Sequence, residues 1–358
     1  MEKPETSSKE RKALGFPHLS DPAVFWRSGF YFFLLFFMLL LLTLVMVKMP
    51  GLEAAAYKDA PPLKLTTELT IGQESGDQNL IFGAIAYVDV DARGNAYAVD
   101  YKNRQVKVFD QNGKFLRQID VPQGQGPQEL NQISGMAVTA SGQLFLNGDR
   151  KMIVYNANGN YLRTFLVGFH ISCIRCAGGE EIIGIGPHED KILHVFNAEG
   201  QMLASFGDIL DVPKEFEPMK MMPMFGAPLL FSCSKDGRIF VFNLYRYEVL
   251  VFKDKKLQST LSGSSEIFEP LKTKILPQGG RGFISTAAMI FPAAKYLLVY
   301  LESPKNQDHI ADLFLKGKQV GSLKLPGQPK ACDYQQKLYL TIQEEYPKLI
   351  RCSVAESH

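Results

Sequence analysis

A unit of four short strand-like segments recurs along most of this chain, and no other feature restricts its possible folds so strongly. Residues 88–119, "VDVDARGNAYAVDYKNRQVKVFDQNGKFLRQI", and residues 136–165, "MAVTASGQLFLNGDRKMIVYNANGNYLRTF", run in the same order. Each has a strand, a glycine turn, a second strand, a polar loop, a strand ending in Val, an aromatic and Asp or Asn, another glycine turn and a last strand. The unit returns over 173–206 and, with lysine in place of the second glycine, over 231–261. Weaker copies lie around 295–323 and 331–354. The last copy stops after three strands, and the unpaired segment "LKLTTELTI", residues 63–71, can supply the fourth. Six four-stranded units closed by the two chain ends predict an all-β six-bladed β-propeller, a design whose radial repetition leaves only short, protected edges.

From Leu63 to Cys352 no amphipathic helical period competes with this reading. Upstream, residues 29–47, "GFYFFLLFFMLLLLTLVMV", form an uncharged run long enough to cross a bilayer as a helix. The expected organisation is a cytoplasmic segment over 1–28, a transmembrane signal anchor over 29–47, a linker over 48–62 and the propeller over 63–358. Trp26 and Tyr31 suit the first membrane interface. Lys3, Lys9, Arg11, Lys12 and Arg27 precede the run while only Lys48 and Lys58 follow closely, which places the N-terminus inside and the propeller in the periplasm or outside the cell. Ala54 and Ala56 offer a cleaved signal peptide as the alternative, but the apolar run exceeds the about 7–15 residues usual for one.

The formal net charge of +2 lacks the basic excess of a nucleic-acid binder, so nucleic acid is not an expected partner. Five cysteines do not make a disulfide framework. Cys173 and Cys176 form a C-x-x-C, read as buried strand residues rather than a redox pair because no helix follows to activate a thiol. There is no G-x-S-x-G and no H-E-x-x-H, and the histidines lack metal-ligand spacing. No catalytic residue, metal ligand or cofactor is expected.

The stretch "AVDYKNRQVKVFDQNGKFL", residues 98–116, resembles an NHL-type repeat, with its aspartate, polar loop, Asn-Arg, V-x-V-F strand and glycine turn. Residues 121–130, "VPQGQGPQEL", resemble the G-x-G-P-G-E-F connector of bacterial six-bladed NHL-like propellers, many of them exported. Gln128 replaces a glycine of that pattern and Leu130 its phenylalanine. Gly124, Gly126, Pro127 and Glu129 are therefore expected to form a structural connector between blades, with Glu129 accepting backbone hydrogen bonds. A phosphate cradle would need a helix after the glycines, and strands follow instead. The resemblance implies mainly a binding scaffold. Some related propellers are calcium-dependent lactonases or amidating lyases, with metal held in the channel by Glu, Asn and Asp. The inner strands here offer little beyond Asp89, Ser134, His170, Ser172 and Ser232.

Loops joining second and third strands share one face of a propeller, where ligands commonly dock. Here they span 100–105, 147–152, 186–191, 243–248, 303–309 and 343–348, and are rich in Arg, Lys, Glu, Tyr and His. Tyr101, Arg104, Arg150, His188 and Glu189 are candidate binding residues, although Asp100, Arg104 and Arg150 can equally hold the loops together. Tyr245, Arg246 and Tyr247 are the leading candidates for a binding hot spot. The insertion "EFEPMKMMPMFGAP", residues 215–228, is either an adaptable methionine surface or a packed interblade loop. The expected function is a non-enzymatic binding or assembly module for a protein partner at the membrane surface. The alternatives are a calcium-dependent lactonase- or lyase-like enzyme and a small-ligand sensor.

Overall fold

A computed structural model describes residues 63–275 and 279–356. The expected segments 1–28, 29–47 and 48–62 lie outside the described residues. Among the described residues no helix is long and apolar enough to cross a membrane.

The strand β1 (Leu63–Ile71) comes first and joins the last blade. Blade one holds β2 (Ile85–Val90), β3 (Ala96–Asp100), β4 (Gln105–Phe109) and β5 (Phe115–Asp120). Blade two holds β6 (Gly135–Val138), β7 (Leu144–Gly148), β8 (Lys151–Tyr155) and β9 (Tyr161–Leu166). Blade three holds β10 (Cys173–Cys176), β11 (Ile182–His188), β12 (Lys191–Phe196) and β13 (Met202–Asp208). Blade four holds β14 (Ser232–Cys233), β15 (Ile239–Phe242), β16 (Glu248–Lys253) and β17 (Lys256–Ser262). A separate hairpin follows, β18 (Lys272–Ile275) and β19 (Arg281–Ile284). Blade five holds β20 (Ala287–Ala293), β21 (Tyr296–Glu302), β22 (Ile310–Leu315) and β23 (Lys318–Lys324). Blade six holds β24 (Gln328–Cys332), β25 (Leu338–Ile342) and β26 (Lys348–Glu356), completed by β1 in antiparallel register from Leu63 opposite Glu356 to Ile71 opposite Leu349. The described residues form an all-β six-bladed propeller of four-stranded blades, closed by the pairing of β1 with β26.

Six apolar cores, one at each blade-to-blade junction, show the ring most directly. Val106 and Val108 of blade one meet Leu144 and Ile153 of blade two, and the series continues round to Ile71 and Tyr339 of blade six against Val90 and Phe109 of blade one. A middle strand therefore has a neighbour on both faces. That is why β3, β7 and β8 are buried along their whole length and show no apolar–polar alternation.

The turns follow from local chemistry. Asp110 Oδ1 accepts the N–H groups of Asn112 (2.8 Å) and Lys114 (2.9 Å), and Gly113 takes φ of 81° to let the chain reverse. Asn156 and Asn197 make the same pair of bonds in the next two blades. In blade four, where lysine replaces glycine, the hairpin shortens to a two-residue turn with both Asp254 (φ 51°) and Lys255 (φ 63°) left-handed, as a tight hairpin turn requires. Two elements fall outside the sequence reading. The hairpin β18–β19 belongs to no blade, and blade five begins at β20, upstream of the repeat seen from residue 295. Pro292 obscures β20 as a strand, but an inner edge strand tolerates proline.

Candidate functional site

The connector leaving blade one is held by side chains that the sequence reading divided between structure and binding. Glu129 Oε2 accepts the Gly126 N–H at 2.8 Å, and a Cβ at Gly124 would stand 2.1 Å from that same oxygen, so the glycine makes room for the carboxylate. Pro127 presents its carbonyl to the Thr164 hydroxyl, and Lys151 Nζ donates to the carbonyls of Gln125 (3.2 Å) and Gly126 (3.0 Å). Arg104 closes the clamp from the other side. Its guanidinium donates to the carbonyls of Val121 (3.1 Å), Pro122 (3.4 Å), Leu130 and Asn131 (3.4 Å). Arg150, one blade on, donates to the Gly168 carbonyl at 2.6 Å, and both arginines sit at positive φ. Asp100 accepts instead from Gly83, Ala84 and Asn103. Arg104 and Arg150 thus grip the connectors that follow their blades.

The proposed hot-spot residues separate. Tyr247 is buried between blades four and five, edge-on to Phe242 and Phe268, and its hydroxyl donates to Asp312. Burial pushes that carboxyl up to about 6 against the opposing hydrogen bonds from Tyr247 and Gln319. Tyr245 is half-buried and donates to the Phe225 carbonyl at 3.0 Å, while Arg246 is exposed beside Glu248 at 3.4 Å. Tyr101 and Glu189 are exposed, and His188 stacks on Phe169 with ring centroids 4.1 Å apart. Alternation could have located Tyr247, since Tyr247, Val249 and Val251 share one face of the strand against blade five. Tyr247→Ala is expected to lower stability by about 3 kcal/mol or more, and Arg246→Ala by less than about 0.5 kcal/mol. Urea unfolding of the two variants measures the difference.

The channel lining is cationic. Inner strands are sheet edges, so some of their amides and carbonyls need partners from side chains. Asp89 accepts the N–H groups of Val90 and Val138, both at 2.8 Å, and pairs with Lys235 Nζ at 2.7 Å. Burial would lower the Lys235 amine, but the charge and hydrogen bond of Asp89, together with Cys176 and Tyr334, raise it above its ordinary value. Ser232 Oγ accepts the Ile290 N–H at 2.8 Å. Arg175 Nη1 donates to the carbonyls of Ile174 (2.9 Å) and Met136 (3.5 Å). These groups, with Lys330, line a cavity of about 20 Å³. Sequence reading found Asp89 and Ser232 but passed over Arg175, Lys235 and Lys330, whose signal is a cation inside or beside an apolar inner strand. Calcium takes six to eight oxygen ligands. A channel with one carboxylate, already paired, among three cations does not fit it. Among the described residues no cluster of His, Cys, Asp and Glu could hold a metal ion. Cys173 and Cys176 point to opposite blade interfaces, and burial raises both thiols, to about 11 for Cys176.

A mainly apolar cavity lies where the repeat is interrupted. Two long connectors, 209–231 and 263–286, separate blade three from four and four from five. On the first, Phe216 and Phe225 pack with Leu210, Leu244 and Leu271 into a seventh core that Met219 and Met224 join, so the methionine-rich insertion is packed between blades except at Met221 and Met222, which stay exposed. Phe283 of the hairpin β18–β19 leans on this core, 5.1 Å from Phe225 at 89° and 6.1 Å from Phe216. Between the connectors opens a cavity of about 520 Å³, walled by Met224, Leu229, Leu230, Phe242, Leu244 and Phe283. Glu269 and Lys305 form an ion pair at its edge, and Thr286 Oγ1 accepts the Glu269 N–H at 2.9 Å. Ser285 also lines it, and its buried hydroxyl has no hydrogen-bond partner among the described residues. Met221, Met222, Leu229, Ile275 and Phe283, all on the two connectors, are each at least 41% exposed. An apolar cavity with one unpaired hydroxyl, flanked by exposed apolar side chains, has the composition of a recognition site.

Fold and cavity together define the class as a six-bladed β-propeller with a pocket built from its connectors. Residues 74–182 match a family model described as DUF5128, 6-bladed beta-propeller. That stretch covers blades one and two and the start of blade three, where the repeat is most regular. No curated protein matches the chain. Among solved structures it is similar to a candidate exported protein of Bacteroides fragilis, at 12% identity and a TM-score of 0.57 over 84% of this chain and 98% of that one. It is also similar to a member of the DUF4221 family from Bacteroides vulgatus, at 11% identity and a TM-score of 0.52 over 84% of this chain and all of that one. At such identity the likeness is one of fold.

Proposed function

We propose that the chain is a membrane-anchored, extracytoplasmic NHL-like propeller that binds a protein partner, which inserts an aromatic side chain with a polar tip into the cavity between blades four and five. The observation that carries this reading is the buried Ser285 hydroxyl without a partner among the described residues, in a cavity whose walls are mainly apolar and whose edge carries the Glu269–Lys305 ion pair. A tyrosine or tryptophan brings both the apolar body and the polar end such a site is built to meet. Tyr101, Glu189 and Arg246 would then act as exposed polar rim. The uncharged run 29–47 and the positive residues before it support the location. A small ligand with one polar end is the second reading, favoured by a cavity volume within the range of small-molecule pockets.

Leu229 is 43% exposed on the cavity wall and belongs to none of the apolar cores, so it can be changed without unfolding the ring. Leu229→Asp places a charge against the inserted side chain. It is expected to cost about 2 kcal/mol of binding, roughly a 30-fold loss, with the melting temperature unchanged. Quantitative capture of partner from solubilised membranes measures this, and equal capture by Leu229→Asp and wild type rejects the site.

A further inference from the structure

We propose that the central channel binds one monovalent anion of chloride size, held by the Arg175 guanidinium, the Lys330 ammonium and the Ser232 hydroxyl. All three residues line the channel cavity, whose volume of about 20 Å³ suits a single small sphere.

The argument is one of unmatched charge and free donors. The Asp89 carboxylate in this cavity is already used by Lys235 and by two backbone amides. Glu302, the acid whose charge reaches Lys330, accepts a hydrogen bond from Gln328 at 2.6 Å. Among the described residues neither Arg175 nor Lys330 forms an ion pair. Arg175 has Nε and Nη2 without partners, and Lys330 Nζ has none. Ser232 Oγ accepts from Ile290, which leaves its own proton to donate. The cavity thus presents Arg175 Nε and Nη2, Lys330 Nζ and the Ser232 hydroxyl proton with no acceptor among the described residues. Burial holds the Lys330 amine below its ordinary value, the Arg175 charge adds to this, and Glu302 opposes it only in part. Removing one partner from a buried charge is costly. An anion between the two cations would supply the missing counter-charge and accept all three donors.

The full-length chain, solubilised in detergent without chloride, should melt higher in sodium chloride or bromide than in sodium gluconate of equal ionic strength. The gain should saturate with halide concentration and reach roughly 3 °C or more, whereas general screening acts alike in all three salts. Lys330→Met should abolish the difference between halide and gluconate. Crystals of the wild-type chain in bromide should show an anomalous peak between Arg175 and Lys330, a readout that does not depend on the variant folding. Equal melting in chloride and gluconate overturns the proposal, as does a halide gain that survives in Lys330→Met. Bromide found only at surface lysines overturns it as well.

Discussion

Asp89→Asn is expected to destabilise the propeller by about 3–5 kcal/mol, because it leaves a buried ammonium without its counter-charge. Lys235 and Asp89 have side chains only 7% and 8% exposed and stand 2.7 Å apart. The carboxylate also accepts two amides from adjacent inner strands, Val90 of blade one and Val138 of blade two. Asparagine keeps the volume but turns an NH₂ group toward one of those donors, so one bond becomes a donor–donor contact. The effect spans the ring, since Lys235 comes from the turn after β14 in blade four. Adding Lys235→Met to Asp89→Asn should restore most of the loss, as removing both charges is far cheaper than stranding one. Urea unfolding of the single and double variants makes the comparison, and a single variant within about 1 kcal/mol of wild type contradicts this role.

Replacing residues 63–71 by a Gly/Ser segment of equal length should cost on the order of 5 kcal/mol. Ile71 is buried, Leu65 is partly buried in the core between blades five and six, and Leu69 in that between blades six and one. Each such side chain contributes about 1.5–3 kcal/mol when fully removed from water. The replacement also frees the edge of β26, whose ladder with β1 runs the length of both strands. Hydrogen exchange should show β26 losing protection while β7 and β8 keep theirs. Unchanged exchange at β26 contradicts closure through β1.

What the sequence made legible was whatever repeats. Asp110, Asn156 and Asn197 each sit three residues before a turn glycine, so three outer hairpins could be aligned. A final copy with three strands and a lone initial one left a single way to close the ring. The inner strand β20 was obscure because burial on both faces removes alternation and Pro292 suggests a break. The hairpin β18–β19 lies outside the repeat, and β18 is exposed along its length. The site was harder for a different reason. Local sequence identified Arg104 and Tyr247 as loop residues of a binding type but not the direction of their side chains. Arg104 points to connector carbonyls and Tyr247 into the interface between blades. The cavity joins Leu229, Leu244, Phe283 and Lys305, brought together only by the fold.

Site-specific photocrosslinking in intact membranes tests the binding role most directly. A benzophenone side chain is placed at Leu229, on the cavity wall, or at Leu203, which is 49% exposed on the outer strand β13 of blade three. A discrete protein adduct from position 229, absent from position 203 and suppressed by Ser285→Ala, is the predicted result. Equal labelling from both positions, or no protein adduct at 229, contradicts the account.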